Sequence, residues 1–454
     1  MRSLLQARAP DVREPDAQRP GHAYGAGDPT QPGGPLSTLD LLLAAVGALG
    51  VVIVALSARI HRWPVSEPLI ALVAGVILGP AVTGVLDLPD IVRDQSTLHT
   101  GAEILLGISV MGVALRYPFS AIRQHWKKLT LLLVVALPAM ALISTGLAMW
   151  TVGLPLAAAL LLGTAICPTD PVLASSAVTG DDAEKDLPEQ DRQLLSLESG
   201  ANDGLALPLV LVALVVATPL TAGSAASEIG WQIIGALVVG VVAGVSAAKA
   251  LHFSERHHSV ENGPVLMFTL LLTLLVLGVS GLISVNGVFA AFVAGLAFNR
   301  TSAGEERRVE VEIDEAVNQF AVLPFFIAFG AMLPWEQWGQ LGWTAVGLTV
   351  AVLVLRRPPV IFALMRPLGL RAHNAAFLGW FGPVGVAAVF YLTEEASRAG
   401  PDPVLLGLGT LIVAASTVTH GVTAAPGRVL FRRADRRAAE RAGASRAGAD
   451  RTES

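Results

Sequence analysis

The sequence predicts an all-α protein that crosses a membrane many times. Apolar stretches of about 20 residues, the length that a helix needs to span the hydrocarbon core, recur along nearly the whole chain. Of the 454 residues, 53% are hydrophobic and only 15% are charged, and the mean hydropathy is +0.60. The basic residues are also divided very unequally between alternate loops. Together these observations favour a polytopic membrane protein over a soluble one.

Thirteen apolar segments make up the predicted transmembrane domain, residues 37–425. They lie at 38–59, 65–86, 98–116, 129–152, 155–178, 193–218, 227–251, 264–284, 286–299, 314–334, 341–364, 373–394 and 402–424. The ninth has 14 residues, which is short for a full crossing, so it either tilts or stops inside the bilayer.

The loop charges agree with this count. With the N-terminus outside, the inner loops hold fifteen lysine and arginine residues, whereas the outer loops hold only Arg93 and Arg398. Such an excess on one side is the positive-inside pattern of a multi-pass protein, here with a cytoplasmic C-terminus in a cell membrane. One span more or fewer after the eighth would reverse the later loops and destroy the agreement.

The two ends of the chain differ from the apolar domain. Residues 1–36 are rich in Pro, Gly and charge and have no apolar signal-peptide core, which predicts a disordered tail. Residues 426–454 are rich in arginine and predict a solvated basic cytoplasmic tail. The single cysteine, Cys167, excludes a disulfide framework and a multi-cysteine metal site. We expect no cofactor and no nucleic-acid partner.

Two of the predicted helices are interrupted. The fifth span contains Pro168 and Pro171, and the twelfth contains Gly382, Pro383 and Gly385. Proline removes a backbone donor and clashes with the preceding turn, so both helices should unwind there. An offset of seven spans relates the fifth to the twelfth, and an odd offset gives equivalent helices opposite orientations. The pattern predicts inverted repeats with a binding site where the two broken helices meet.

Two aspartates lie deep inside these apolar spans. Asp170 stands at the break in the fifth span, and Asp203 precedes an apolar run in the sixth. An ionisable group at the centre of a bilayer costs roughly 2.5–3.5 kcal/mol even on a mild scale, so it usually persists because it has a function. Each aspartate is about 15 Å from the cytoplasmic end of its helix at 1.5 Å per residue. Comparable depth predicts that the two carboxyl groups meet.

Further polar residues accompany them. Glu198 and Asn202 share a face of the sixth span, four residues apart. Arg356 and Arg357 lie inside the eleventh span. We expect one of these arginines to pair with Glu198 and the other to reach the interface along its flexible stem, and the sequence leaves open which does which.

The motifs resemble those of the cation:proton antiporters of the bacterial NhaP and animal sodium/proton exchanger type. The shared motifs, in order along residues 40–425, are Thr169-Asp170-Pro171-Val172, Glu198-Ser199 with Asn202-Asp203, Arg356-Arg357-Pro358, Trp380-Phe-Gly-Pro-Val-Gly385 and His420-Gly421-Val422-Thr423. The resemblance implies a homodimer of inverted-repeat protomers with 13 helices, in which a core domain moves against a dimerisation domain.

The resemblance also implies the cation ligands. They are Asp203, Asp170 with the Thr169 backbone, Ser199 and Glu198, holding Na⁺ or a similar ion. Asn202 stands where electrogenic relatives have aspartate, which implies electroneutral one-for-one exchange, and the arginines would support Glu198 and Asn202. In one departure, Val384 stands where the family often has arginine, which removes a positive charge without touching the ion site.

The implied mechanism is competition for Asp203. Loss of water disfavours the charged form of a carboxyl group, whereas a bound cation favours it, so a proton and Na⁺ or Li⁺ can exclude each other. Exchange of K⁺ for H⁺ is an alternative, because oxygen ligands do not fix the cavity size. An ion channel is a second alternative. An intramembrane aspartyl protease is a third, although its Gly-x-Gly-Asp motif is absent around both aspartates.

Overall fold

The computed structural model describes residues 44, 46–48, 50–52, 65–86, 95–117, 119–256, 267–301 and 321–452. Within these ranges all regular secondary structure is helical. The predicted N-terminal tail and most of the first predicted span lie outside the described residues, and helix is present in every later predicted span. The all-α fold is therefore confirmed, while the count of thirteen crossings stays a prediction.

The helices, numbered in chain order, are given in two groups, those up to residue 256 and those from residue 267. The first group is α1 (Glu67–Leu78), α2 (Gln95–Arg116), α3 (Phe119–Leu131), α4 (Leu137–Thr151), α5 (Leu156–Ala165), α6 (Pro171–Val178), α7 (Asp181–Asp186), α8 (Glu189–Leu205), α9 (Leu207–Ala217) and α10 (Ala222–Arg256). The second is α11 (Phe268–Leu282), α12 (Gly287–Thr301), α13 (Ala321–Ala331), α14 (Trp335–Leu355), α15 (Pro358–Ala363), α16 (Met365–Leu368), α17 (Ala372–Trp380), α18 (Val386–Ala399) and α19 (Pro403–Thr452).

Six helical stretches in the described part of the chain are long and apolar enough to cross a membrane. They are Gln95–Arg116, Phe119–Thr151, Glu189–Ala217, Ala222–Phe253, Trp335–Ala363 and Pro403–Ala438. On α10 the side chains that face outward are themselves large and apolar, namely Trp231, Ile234, Val238, Val241 and Val242. An apolar exterior around a chain with many long helices is the arrangement that lipid requires, and the protein is a multi-pass membrane protein.

Both predicted interruptions are present. In the fifth span α5 ends at Ala165 and α6 begins at Pro171, with residues 166–170 non-helical between them. In the twelfth span α17 ends at Trp380 and α18 begins at Val386. The two extended segments hydrogen-bond to each other where they cross, because the backbone N–H of Asp170 donates to the Pro383 carbonyl at 3.0 Å. This crossing positions the functional site.

A third break, which the sequence analysis did not predict, divides the sixth span between α8 and α9 at Ala206. Its cause is Pro208, which has no N–H to offer to the carbonyl of Gly204 four residues earlier. The side chain of Asn286, at the start of α12, donates to that Gly204 carbonyl at 2.8 Å. The break therefore lies three residues after Asp203 on the chain and is stabilised from a neighbouring helix.

The basic C-terminal segment is helical, and its solvated, cytoplasmic character stays a prediction. Helix α19 continues from the last apolar span through Pro426 to Thr452, so the basic segment extends that span as helix. Near its start Arg432 donates to Asp186 of α7 at 2.6 Å. This ion pair fixes the beginning of the segment against α7.

Candidate functional site

Asp170 is fully buried and binds the beginnings of two helices at once. It is the N-cap of α6, where Oδ1 accepts from the Leu173 N–H at 3.0 Å. Its other oxygen, Oδ2, accepts from the N–H groups of Val386 and Ala387 at the beginning of α18. Helix N-termini carry partial positive charge, so the two helices jointly stabilise a buried carboxylate. A Cβ on Gly385 would lie 2.4 Å from Oδ2, which explains why glycine precedes α18.

Arg356 is also buried and binds the opposite ends of the two broken helices. Its guanidinium donates to the carbonyls of Ile166, Cys167 and Pro168, which follow α5. It also donates to the carbonyl of Gly382, which follows α17. The last carbonyls of a helix have no intrahelical partner, and a cation offsets their partial negative charge.

Arg357 forms a two-pronged ion pair with Glu198. Nη1 donates to Oε1 at 2.8 Å and Nη2 donates to Oε2 at 2.7 Å, with both side chains almost completely buried. Nε donates to the carbonyl of Leu378 at 3.0 Å and thereby attaches the pair to α17. A Cβ on Gly382 would lie 2.2 Å from Cδ of Arg357, so this glycine makes room for the guanidinium stem.

These contacts correct one expectation about the two arginines. Arg357 is the partner of Glu198, as predicted for one of the pair. The prediction that the other reaches the interface is wrong, because Arg356 is only 2% exposed. The carbonyls that follow α5 and α17 supply the acceptors that an interface would otherwise provide.

Asn202 links the sixth span to the broken fifth span. Its Oδ1 accepts from the Thr169 N–H at 3.0 Å, and its Nδ2 donates to Thr169 Oγ1 at 2.7 Å and to Glu198 Oε1 at 3.1 Å. Thr169 Oγ1 also lies 3.0 Å from the hydroxyl of Ser199. All four residues are buried. Their polar atoms form one connected network next to the Asp170 cap.

Asp203 is the exception in this otherwise satisfied site. It is fully buried, and neither carboxylate oxygen has a hydrogen-bond partner among the described residues. It lies within electrostatic range of Asp170 and Glu198. Ser199 shares its face of α8, one turn away. Buried polar atoms are nearly always paired, so a buried carboxylate without a partner makes Asp203 a candidate ligand-binding group.

Neither predicted acid faces lipid, and the polar residues named from the sequence converge around one crossing. Three contributors had no role assigned from the sequence, although His420 belongs to one of the shared motifs. The hydroxyl of Tyr391 on α18 donates to the backbone carbonyl of Asp203. The Ser416 hydroxyl on α19 accepts from the Val384 N–H at 2.9 Å, and His420 lies 2.9 Å from the Trp380 carbonyl through Nε2. In the sequence each of these residues is a polar side chain inside an apolar span, and that pattern could have identified it.

The donor set is rich in oxygen. Within the described residues no group of three or more His, Cys, Asp or Glu side chains is arranged to hold a metal ion. The crossing offers carboxylate, hydroxyl and backbone carbonyl oxygens instead. Such ligands are hard and suit small monovalent cations better than soft transition metals.

The sequence from residue 48 to residue 427 matches the family described as sodium/hydrogen exchanger, transmembrane. The chain belongs to this family. Curated relatives include the Na(+)/H(+) antiporter 2 of Zygosaccharomyces rouxii, 32% identical over 350 residues, which cover 74% of this chain and 43% of the relative. A Na(+)/H(+) antiporter of Schizosaccharomyces pombe is 27% identical over 361 residues, 75% of this chain and 76% of that protein. The chain spans 38–44% of the length of three of the curated relatives it matches.

The fold of this family member has a solved counterpart. The sodium proton antiporter MjNhaP1 from Methanocaldococcus jannaschii, at pH 8, superimposes with a TM-score of 0.69. The match covers 87% of this chain and 98% of that chain, at 16% sequence identity. At this identity the similarity concerns the fold.

Proposed function

We propose that this protein exchanges Na⁺ for H⁺ across a membrane and that Asp203 is the group for which the two ions compete. The observation that carries the proposal is the charge balance at the helix crossing. Glu198 is paired with Arg357, and Asp170 and Arg356 are each bound to two helix ends. Asp203 has no such partner in the described structure.

This balance favours obligatory exchange. One proton or one monovalent cation neutralises Asp203, and a site that holds either of them is uncharged overall. An empty site would carry a bare carboxylate through the apolar centre of the membrane, which costs several kcal/mol. The loaded forms therefore cross and the empty form does not, which couples the two fluxes.

The ligand set follows from the acceptor positions that remain free. Asp203 supplies the charged ligand, and Ser199 and Thr169 supply neutral oxygens near it. An ionised carboxylate has about four acceptor positions, and Asp170 and Glu198 each use three of theirs on N–H donors. Each keeps one position for the cation. Asp170 mainly stabilises the beginnings of α6 and α18, and Glu198 mainly positions Arg357.

Sodium is the favoured cation, because the curated relatives are called Na(+)/H(+) antiporters. The same names argue against the K⁺ alternative and against a protease. Asn202 cannot ionise, which supports one-for-one electroneutral exchange. Homodimer assembly, an elevator-like motion of the core, and a cell membrane with the C-terminus inside are further parts of the proposal, supported by the family resemblance and the loop charges.

The decisive experiment is Asp203→Asn in proteoliposomes. Wild-type vesicles with an acidic interior should lose their pH gradient when Na⁺ is added, and the variant should not. Na⁺ should also raise the melting temperature of the wild type but not that of the variant, because only a bound ligand stabilises the folded state. The control is Asp182→Asn on the exposed helix α7. Na⁺-dependent loss of the gradient in Asp203→Asn vesicles would refute the proposal.

A further inference from the structure

Glu395 is a fourth buried carboxyl group beside Asp170, Glu198 and Asp203, and the proposed exchange mechanism does not use it. It lies on α18, the second half of the broken twelfth span, and is 3% exposed. Its Oε2 is completely buried and has no hydrogen-bond partner among the described residues. An ionised carboxylate that is buried with one oxygen unpaired has a high free energy, so the environment favours the neutral, protonated group.

The contact between Glu395 and Thr164 supports a protonated carboxyl group. Thr164 on α5 places Oγ1 3.1 Å from Glu395 Oε1, and also 2.8 Å from the Leu160 carbonyl and 3.1 Å from the Leu161 carbonyl. A hydroxyl has one hydrogen and cannot serve three acceptors well. If Glu395 is protonated, its hydroxyl donates to Thr164 Oγ1. The Thr164 hydroxyl then donates to a carbonyl of its own helix, α5.

Glu395 also shares a helix face with the contacts to the central site. Residues 387, 391 and 395 follow one another at intervals of four along α18 and form one stripe. The Ala387 N–H donates to Asp170, the Tyr391 hydroxyl donates to the Asp203 carbonyl, and Glu395 lies one turn further on. One turn is about 6 Å along the axis, in the direction away from the cytoplasm.

The ionisable groups around Glu395 can be named for each element packed against α18. Helix α2 contributes His99 and Glu103, the segment after α5 contributes Cys167, and α18 itself contributes Tyr391, Glu394 and Arg398. Helix α9 has no ionisable side chain, and the first on α19 is His420, which faces Trp380. Glu394 already has a cation, because Arg398 Nε donates to it at 2.6 Å. Glu395 contacts none of these cations.

We propose that Glu395 is a second proton-binding site of the transport path, placed between Asp203 and the outer surface. The inference depends on the exchange function proposed above. When Na⁺ displaces the proton of Asp203, protonated Glu395 releases its own proton to the outer solution and takes up the proton of Asp203 in its place. Each carboxyl group gains and loses one proton in the cycle, so the one-for-one stoichiometry is unchanged.

The first test compares Glu395→Gln with Glu394→Gln in proteoliposomes. Glutamine keeps the shape of a protonated glutamic acid but cannot take up or release a proton. We expect Glu395→Gln to keep its Na⁺-dependent thermal stabilisation while its maximal exchange rate falls by about a hundredfold, a typical contribution of a positioned proton-transfer group. Glu394→Gln, the adjacent residue with its own arginine, should keep a rate close to that of the wild type.

A second test does not require the variant at 395 to fold. Wild-type protein with ¹³C-labelled glutamate should show the infrared carbonyl stretch of a protonated, buried carboxyl group near neutral pH. Thr164→Val removes the hydrogen-bond partner and should shift that band.

The two failures are distinguishable. If the wild type exchanges ions and Glu395→Gln has the same rate and pH profile, the role of Glu395 alone is overturned. Absence of the labelled infrared band would also overturn that role alone. A wild type without Na⁺-driven proton movement would overturn the exchange function itself.

Discussion

Asp170 and Arg356 bind opposite ends of the same two broken helices. The carboxylate accepts from N–H groups that begin α6 and α18, and the guanidinium donates to carbonyls that follow α5 and α17. Each side chain thus offsets two helix ends of opposite sign to its own charge. The crossing can remain non-helical inside the bilayer because its exposed backbone groups are satisfied by protein.

Arg356→Ala should destabilise the protein strongly. Removal of the guanidinium leaves carbonyls at four residues, 166, 167, 168 and 382, without their buried donor. We expect a loss of roughly 3–5 kcal/mol, as for one partner removed from a buried charged network. Equilibrium unfolding in mixed micelles measures it. Arg371→Ala, at a side chain that is 67% exposed, is the control and should change stability by less than about 0.5 kcal/mol. Equal effects at both positions would contradict the capping role.

Glu198 and Arg357 should show strong coupling in a double-mutant cycle. Glu198→Gln or Arg357→Met alone leaves one buried charge without its partner, at a cost of about 3–5 kcal/mol. The double variant removes both charges, so its loss should be smaller than the sum of the two single losses by about 1–3 kcal/mol. The same unfolding measurement applies to all four proteins. Additive losses would mean that the pair seen at 2.7 Å contributes no mutual stabilisation.

Gly385→Ala should damage both stability and exchange, because the new methyl group would displace the Asp170 carboxylate from the beginning of α18. Alanine normally stabilises a helix relative to glycine by about 0.5–1 kcal/mol. Gly278→Ala in α11 supplies the matched control, since a Cβ there meets nothing within 4 Å. Melting temperature and Na⁺-driven proton flux are to be measured for both variants. A Gly385→Ala protein as stable and active as the control would rule out the close approach.

The exchange rate should not depend on membrane potential if one Na⁺ replaces one H⁺. Movement of one net charge across 100 mV is worth about 2.3 kcal/mol, which can change a rate by about fiftyfold. This expected independence from the potential depends on Asn202. Its amide carries no charge, and its polar atoms are hydrogen-bonded to Thr169 and Glu198. Proteoliposomes with and without an imposed potential provide the measurement. A rate that follows the potential would exclude one-for-one exchange.

Much of the site could be predicted because its causes are local in the sequence. Pro168 and Pro171 cannot continue a helix, so the break at Asp170 follows from backbone chemistry. The charge at Asp203, followed by an apolar run, indicated burial without reference to any other helix. The pairing of one arginine with Glu198 followed from comparable depth in the membrane.

The remainder depended on contacts between distant segments. Nothing in the sequence separates Arg356 from Arg357, because their order in the eleventh span does not reveal which acceptors each one meets. Glu395 lies near the end of its span beside Glu394 and Arg398, and in sequence it resembles an interfacial residue. Its burial becomes evident only when α5 packs against α18 and brings Thr164 to it.

The lone thiol of the chain has a practical consequence. Cys167 is buried, and its own carbonyl accepts from Arg356 at the centre of the crossing. A fluorophore can therefore be attached to a newly introduced surface cysteine without first deleting the native one. Because the native thiol is buried, a water-soluble alkylating reagent reacts with it only when a conformational change exposes it to water. The rate of alkylation therefore reports how often the protein opens at the crossing.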